Sequence, residues 1–242
     1  MSAYLAEFVG TALLILLGDG VVANVLLGRS KGNGGGWIVI TVGWGLAVAL
    51  AVYSVGTISG GHLNPAVTIG LASVGAFPWS QVMAYVLAQM AGAMAGAFLV
   101  WLAYLPHWEQ TTDPALKLAV FCTAPAVRRP SANLLCEALG TAVLVFCARA
   151  VPATSNLKGP GWSEGFGPLL VGLIVVSIGV SLGGPTGYAI NPARDLGPRL
   201  TYALLPIVGK GPSDWSYAWI PVAGPVIGGV VGALLHRMLY PF

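Results

Sequence analysis

The sequence predicts an all-α membrane protein in which six transmembrane helices and two re-entrant half-helices form an inverted repeat. Three observations support this fold class. Of the 242 residues, 56% are hydrophobic and 8% are charged, whereas soluble domains carry about 25% charged residues. Six apolar stretches reach the length of about 20 residues that a membrane-spanning helix requires. Two shorter apolar stretches each begin with Asn-Pro-Ala.

The six predicted spans have their charged residues mostly at the ends. They cover residues 4–27, 37–55, 79–105, 133–151, 166–183 and 217–240. A glycine-rich run at 28–36 ends the first span, and Trp37 and Trp79 open the second and third. Tryptophan is enriched at such membrane interfaces. A polar linker over residues 107–130 separates the third span from the fourth.

The two short stretches cover residues 63–76 and 190–205. They are too short to span a bilayer and too apolar to be solvated loops. Asn64 and Asn191 are preferred N-cap residues. Pro65 and Pro192 suit the first helical turn, because the amide there would be unpaired anyway. Each tripeptide therefore predicts a half-helix that follows extended, glycine-rich backbone, which persists at membrane depth only inside protein or beside a wet cavity.

The two halves of the chain repeat each other. Asn191 follows Asn64 by 127 residues, and the Glu-x-x-Gly-Thr-Ala sequence of Glu137 follows that of Glu7 by 130. We interpret residues 1–242 as one channel domain with repeats at about 1–105 and 131–242. Each repeat holds three spans and a half-helix, so the second repeat is inverted and its site lies at mid-membrane. The positive N-terminal ends of both half-helices meet there and repel cations.

These features resemble the major intrinsic proteins, the family of the aquaporins and glycerol facilitators. The resemblance rests on the two Asn-Pro-Ala boxes, on Glu7 and Glu137, and on the Ser-Gly-Gly-His-Leu-Asn-Pro-Ala-Val run that begins at Ser59. It implies an aquaporin-like right-handed bundle that assembles as a homotetramer with one pore per subunit. It also implies a multi-pass protein of the cell membrane with cytoplasmic termini.

Within that family, the sequence is similar to the glycerol facilitator, or aquaglyceroporin, branch. Asp195 follows Arg194, and Arg199 comes four positions after Asp195. Pro221-Val222 stands where water channels have an aromatic pair. The resemblance implies passive diffusion of glycerol and other small neutral solutes, with some water, and exclusion of ions and protons. It implies no enzymatic activity and no cofactor.

The resemblance also assigns roles to particular positions. The selectivity filter consists of Trp44, Gly179, Tyr188 and Arg194. The two motif boxes are Asn64, Pro65 and Ala66, and Asn191, Pro192 and Ala193. Pore carbonyls come from Gly60, Gly61, His62, Gly187, Tyr188 and Ala189. Glu7 and Glu137 brace the re-entrant loops, and Asp195 marks the branch.

The filter residues suit a polyol. Because Gly179 has no side chain, Tyr188 has room to turn its ring toward the lumen opposite Trp44, which provides two aromatic walls for a carbon chain. Arg194 offers up to five N–H donors to the solute hydroxyl groups. A solute that sheds water needs such partners, since an unpaired hydroxyl in an apolar site costs about 2–7 kcal/mol. A water-selective filter would carry histidine in place of Gly179.

Several alternatives remain open from the sequence. The nearest is a water-selective aquaporin. Urea and undissociated lactic acid are further candidate solutes, the latter because Tyr188 adds a hydroxyl to the filter. A proton-coupled secondary transporter would also use buried carboxylates such as Glu7, Glu137 and Asp19. Relatives usually have a neutral residue in place of Asp19, and the sequence assigns it no role.

The expected partners are small neutral solutes and the lipid bilayer. The net charge of +3 is too small to indicate a nucleic acid. His62 has no second ligand at a metal-binding spacing, so we expect no metal site.

Charge bias and family resemblance disagree about orientation. The loops opposite the termini carry Arg29, Lys31, Lys117, Arg128, Arg129 and Lys210, whereas the terminal side carries Arg149, Lys158 and Arg237. The positive-inside rule alone would place the termini outside. We follow the family and expect cytoplasmic termini, because inverted repeats weaken the charge bias.

Overall fold

The computed structural model describes residues 1–153 and 162–240, and the side chains of 152–153 and 162–164 are not described; Lys158 lies outside these residues. In order, the helices are α1 (Ala3–Leu26), α2 (Trp37–Ser59), α3 (Pro65–Ser73), α4 (Trp79–Ala103), α5 (Pro114–Phe121), α6 (Pro130–Ala153), α7 (Trp162–Leu182), α8 (Pro192–Leu204) and α9 (Ile220–Leu239). A short 3-10 turn, Leu105–His107, follows α4.

In the described part of the chain, six helices are long and apolar enough to cross a membrane: α1, α2, α4, α6, α7 and α9. The six predicted spans are therefore confirmed, and the protein is membrane-integral. The second span was predicted to end at residue 55, but α2 continues to Ser59. It ends where Gly60 adopts a left-handed φ of 85°, a conformation that glycine adopts readily.

The two half-helices are α3 and α8, and each begins at the proline of an Asn-Pro-Ala box. Asn64 caps α3 by accepting a hydrogen bond from the backbone N–H of Ala66 at 2.9 Å. Asn191 caps α8 by accepting one from the backbone N–H of Ala193 at 3.0 Å. These caps satisfy amides that have no partner within the helix. The predicted pair of half-helices is confirmed.

Glycines bring long helices together in corresponding ways in the two halves. Helix α1 packs against α4, and α6 packs against α9. A Cβ atom added to Gly96 would lie 2.4 Å from the carbonyl oxygen of Ala12, and one added to Gly228 would lie 2.1 Å from that of Ala138. Such close backbone contact is typical of membrane helices, because lipid gives no hydrophobic force between helices and close packing must supply the attraction.

Gly228→Ala should therefore destabilise the protein, because its methyl group would meet a backbone oxygen that cannot rotate away. Overpacking of this kind costs about 1–3 kcal/mol. The matched control is Gly20→Ala in α1, where an added Cβ meets no atom within 4 Å. It should be neutral or slightly stabilising, since alanine is a better helix former than glycine. Thermal unfolding in detergent measures both variants, and equal unfolding temperatures would contradict the glycine contact.

The linker over residues 107–130 contains a helix that the sequence analysis missed. Helix α5 begins at Pro114, and Asp113 caps it by accepting a hydrogen bond from the backbone N–H of Ala115 at 2.8 Å. The Asp-Pro pair is the same start signal as Asn-Pro in the boxes, so it could have been recognised. Lys117 is buried and donates to the carbonyl of Val208, which ties the linker to the connection between α8 and α9.

Candidate functional site

Glu7 of α1 is fully buried and accepts four hydrogen bonds. Its Oε1 accepts from the Ser59 hydroxyl at 2.6 Å and from the His62 backbone N–H at 3.0 Å. Its Oε2 accepts from the Leu63 backbone N–H at 2.7 Å and from the Gln89 amide at 2.8 Å. A buried carboxylate needs such partners, because leaving it unpaired is costly. Glu7 thereby connects the segment before α3 to α1 and α4.

Glu137 of α6 occupies the corresponding place in the second half. It is 1% exposed, and it accepts from the backbone N–H groups of Ala189 at 3.0 Å and Ile190 at 2.9 Å. Both carboxylates thus hold the extended backbone that leads into a half-helix.

These two segments contain strained residues. Leu63, Tyr188 and Ile190 have φ values of 51°, 39° and 44°, which residues with a Cβ rarely adopt and which cost about 1–3 kcal/mol each. Two of the three, Leu63 and Ile190, donate their N–H groups to Glu7 and Glu137. The carboxylates therefore hold the backbone in place where it is most strained.

Asn64 and Asn191 join the two segments across the centre of the molecule. The Asn64 side-chain amide donates to the carbonyl of Ile190 at 2.8 Å, and the Asn191 amide donates to the carbonyl of Leu63 at 2.8 Å. Each side-chain oxygen is occupied by its helix cap. Because an asparagine amide has two N–H groups, one N–H of each remains for another partner.

The predicted pore carbonyls are free of protein donors. In residues 1–153 and 162–240, no hydrogen bond ends on the carbonyl oxygens of Gly60, Gly61, His62, Gly187, Tyr188 or Ala189. Backbone carbonyls without a protein donor pair with water. These oxygens are therefore available to water or to a solute as donor.

A cavity of about 560 Å³ lies next to the two asparagines. It is lined by Gly60, Gly61, His62 and both asparagines, and by aliphatic side chains of α1, α2, α3, α6 and α7. Arg149 and His236 also line it. The wall thus combines an aliphatic surface with a row of polar groups from the first re-entrant segment. Such a surface suits a small molecule that has both C–H and hydroxyl groups.

Arg194 and Trp44 form one contact among the predicted filter residues. The guanidinium carbon of Arg194 lies 4.1 Å above the centre of the Trp44 ring, which is a cation–π contact. Arg194 Nη1 also donates to the carbonyl of Phe121 at 3.3 Å. Phe121 is the last residue of α5, so the linker takes part in a site to which the sequence had assigned it no residue.

Gly179 and Tyr188 form the second contact. A Cβ atom on Gly179 would lie 2.9 Å from Cζ of Tyr188, so the missing side chain does provide space for this ring. The ring meets that of Trp37 edge to face, with centroids 5.7 Å apart, and the Trp37 indole N–H donates to the Gly179 carbonyl at 2.9 Å. Among the described residues, the hydroxyl of Tyr188 has no hydrogen-bond partner.

The two aromatic rings of the predicted filter each contact a neighbour. The ring of Tyr188 contacts that of Trp37, and Trp44 packs against α1, where a Cβ atom on Gly18 would lie 2.1 Å from its ring. That the two rings face each other across the lumen stays a prediction. From the sequence alone, Trp37 is interpreted only as an interfacial anchor, and no local pattern indicates its contact with Tyr188.

Asp195 has a structural environment that the sequence did not reveal. It is fully buried, and it accepts hydrogen bonds from Arg199 Nε at 2.8 Å and from the backbone N–H of Thr123 at 2.8 Å. Arg199 in turn donates to the carbonyls of Thr123 at 2.9 Å and Ser213 at 2.8 Å. The pair thus attaches the linker and the connection between α8 and α9 to helix α8.

A second ion pair, near the surface, also joins the linker to the connection between α8 and α9. Arg128 and Asp214 form a salt bridge, and Asp214 also accepts a hydrogen bond from Ser216 at 3.0 Å. Partial burial acts to raise the pKa of the Asp214 carboxyl, but the hydrogen bonds from Arg128 and Ser216 outweigh it and lower that pKa below its usual value.

His62 braces its own loop. Its Nδ1 lies 3.1 Å from the Thr68 hydroxyl, and its ring contacts those of Phe77 and Tyr85. Within the described residues, no group of three or more His, Cys, Asp or Glu side chains could hold a metal ion.

Comparison with known proteins gives consistent results. A family model described as "Major intrinsic protein" matches residues 1–236. A "Probable glycerol uptake facilitator protein" of Thermotoga maritima is 62% identical over 240 residues, which are 99% of this chain and 100% of that protein. A "Glycerol uptake facilitator protein" of Bacillus subtilis is 53% identical over 99% of this chain and 85% of its own length.

Among solved structures, the aquaglyceroporin from Plasmodium falciparum is similar to this chain. The TM-score is 0.85 at 30% sequence identity, and the match covers 98% of this chain and 96% of the other.

Proposed function

Since the chain belongs to the major intrinsic protein family, we propose that it lets glycerol and other small neutral solutes, with some water, diffuse passively down their gradients. Members of this family are channels, so the protein is a channel and not an enzyme. Glycerol is proposed as the solute because the relatives are named glycerol uptake facilitators. It also draws on the residues that line the path.

One observation carries the proposal. In the described residues, six carbonyls of the two re-entrant segments, those of residues 60–62 and 187–189, have no protein donor, and Asn64 and Asn191 each keep one free N–H. In the cavity, an aliphatic wall accompanies the first segment and the two asparagines. A polyol has hydroxyls that can replace its lost water contacts on one side and C–H groups that can contact the aliphatic side. This pairing avoids the cost of an unpaired hydroxyl, which is about 2–7 kcal/mol.

The same geometry opposes the passage of cations. Asn64 and Asn191 cap the N-termini of α3 and α8, and each N-terminus carries about half a positive charge. Glu7 and Glu137 do not line the cavity, and their oxygens accept hydrogen bonds from the backbone of the re-entrant segments. Carboxylates in that state act as braces and not as proton carriers, which disfavours a proton-coupled transporter.

The filter residues favour glycerol over water alone. Gly179 leaves its space to the Tyr188 ring, and a water-selective filter would have a histidine there. The Tyr188 hydroxyl, which has no partner among the described residues, and the remaining N–H groups of Arg194 would supply hydrogen-bond partners to a solute. The named relatives favour glycerol over lactic acid as the main solute.

The assembly and orientation follow the family. We propose a homotetramer in the cell membrane, with one pore per subunit and with both termini in the cytoplasm. The many exposed apolar side chains on the outer faces of α2, α4 and α9 fit contact with lipid or with neighbouring subunits.

Swelling of liposomes that contain the purified protein tests the function. Glycerol should enter protein-containing liposomes much faster than protein-free ones, water should also pass, and an imposed pH or sodium gradient should neither drive glycerol uphill nor dissipate faster. Liposomes that swell with water but not with glycerol would support the water-selective alternative. Uphill glycerol accumulation with a proton gradient would support the transporter instead.

A further inference from the structure

A buried carboxylate on α1, that of Asp19, has no part in the function proposed above. It is 0% exposed, and Oδ1 lies 3.5 Å from Nη1 of Arg194. This is the one ion pair of Asp19 within the described residues, where Oδ2 accepts no hydrogen bond. Because an unpaired buried carboxylate is expensive, the presence of Asp19 at this depth depends on Arg194.

Arg194 is available to Asp19 because the neighbouring carboxylate has a different partner. The other buried carboxylate nearby, Asp195, pairs with Arg199 at 2.8 Å. Each of the two carboxylates therefore lies beside its own guanidinium group. Without the charge of Asp19, Arg194 would leave one uncompensated positive charge beside the solute path.

Gly18 and Asp19, which are adjacent in α1, contact the two members of the Trp44–Arg194 pair. The Trp44 ring packs against the backbone of α1 because Gly18 has no Cβ. Asp19 holds Nη1 of the arginine that lies 4.1 Å above this ring. Adjacent residues of α1 thus determine where both members of the Trp44–Arg194 contact lie.

We propose that Asp19 is a specificity-determining residue, which positions Arg194 against Trp44 at the wall of the constriction and neutralises its charge. The inference rests on the function proposed above. Nη1 is taken by Asp19 and by the carbonyl of Phe121, so the other N–H groups of the fork are left for solute hydroxyls. When Asp19 loses its charge, the guanidinium group of Arg194 is held less firmly and moves into the solute path. The narrower path hinders glycerol more than the smaller water molecule.

The test is Asp19→Asn, which keeps the size of the side chain and removes its charge. In liposomes that contain the full-length protein, the ratio of glycerol to water permeability should fall several-fold relative to wild type. The matched control is Asp113→Asn, the same change at the exposed N-cap of α5. It should leave the ratio unchanged, because asparagine caps as well as aspartate.

A double-mutant cycle shows whether Asp19 acts through Arg194. In an Arg194→Ala background, Asp19→Asn should have no further effect on the permeability ratio, because the partner through which it acts is gone. Thermal unfolding gives a second readout. Arg194→Ala should lower the unfolding temperature by leaving a buried carboxylate unpaired, and adding Asp19→Asn should restore part of the loss.

Two results would overturn the proposal: an unchanged ratio in Asp19→Asn, or the same change with and without Arg194. If Asp19→Asn alone does not yield folded protein, the stability comparison of Arg194→Ala with the double variant decides, and no restoration would count against the proposal. Failure of the wild type to pass glycerol would instead refute the proposed function, while the stability cycle would still test the contact.

Discussion

Gly179→His is expected to lower glycerol permeability by about tenfold or more, which corresponds to an increase in the barrier of only about 1.4 kcal/mol. A Cβ atom at this position would already lie 2.8 Å from Thr41 Cγ2 and 2.9 Å from Tyr188 Cζ. The imidazole must therefore displace the Tyr188 ring or enter the lane. Water permeability should fall less, because water is the smaller solute. Stopped-flow swelling of liposomes measures both permeabilities.

Gly184→His is the matched control for this substitution. Gly184 is exposed, and an added Cβ atom there meets no atom within 4 Å. A histidine at position 184 should leave the glycerol and water permeabilities as in wild type. If Gly179→His also left glycerol permeability unchanged, Gly179 would not belong to the constriction.

Glu7→Ala is expected to be the most destabilising of the substitutions considered. It leaves the backbone N–H groups of His62 and Leu63 without an acceptor. It also removes the better acceptor of the Ser59 hydroxyl and one of two acceptors of the Gln89 amide. Each buried donor left unpaired costs about 1–3 kcal/mol, so the free energy of unfolding should fall by about 4 kcal/mol or more. Glycerol permeability should be lost as well, since Leu63 is held in a strained backbone conformation by this carboxylate.

Glu137→Ala provides the comparison within the same molecule. Glu137 accepts from the backbone N–H groups of Ala189 and Ile190 and also interacts with the Thr186 hydroxyl. This is one donor fewer than Glu7 has, so the loss of stability should be smaller than for Glu7→Ala. Unfolding in detergent measured by circular dichroism distinguishes the two variants. A larger loss for Glu137→Ala would mean that the number of donors does not determine the contribution of each brace.

Much of the fold follows from short stretches of sequence. The spans are identified by apolar length alone, and α3 and α8 are identified because Asn and Pro at their starts are local capping signals. Helix α5 carries the same signal at Asp113-Pro114, but at eight residues it is far too short to span a membrane, and it was interpreted as part of the polar linker. Helix ends are less predictable, as α2 shows: its end depends on the backbone conformation of Gly60.

The residues of the candidate site also differ in whether the sequence alone could predict them. The motif asparagines, Glu7 and Glu137 could be predicted as a set, because their positions repeat between the halves of the chain. The pairing of Tyr188 with Trp37 could not, because it depends on how the segment between α7 and α8 folds back onto the start of α2. Neither could the contribution of Phe121, which reaches Arg194 only because the linker folds back onto α8.

The sequence by itself determined the membrane location, the six spans, the two capped half-helices and the family, because each of these depends on composition or on residues that are neighbours along the chain. Only the tertiary structure decided which groups face each other in the constriction. Arg194 and Asp19 are 175 positions apart, and nothing in the local pattern around either residue specifies the other. Their contact arises from the arrangement of the bundle, in which α1 and α8 both pack against α4 and α5, and a buried charge is stable only beside its counterion.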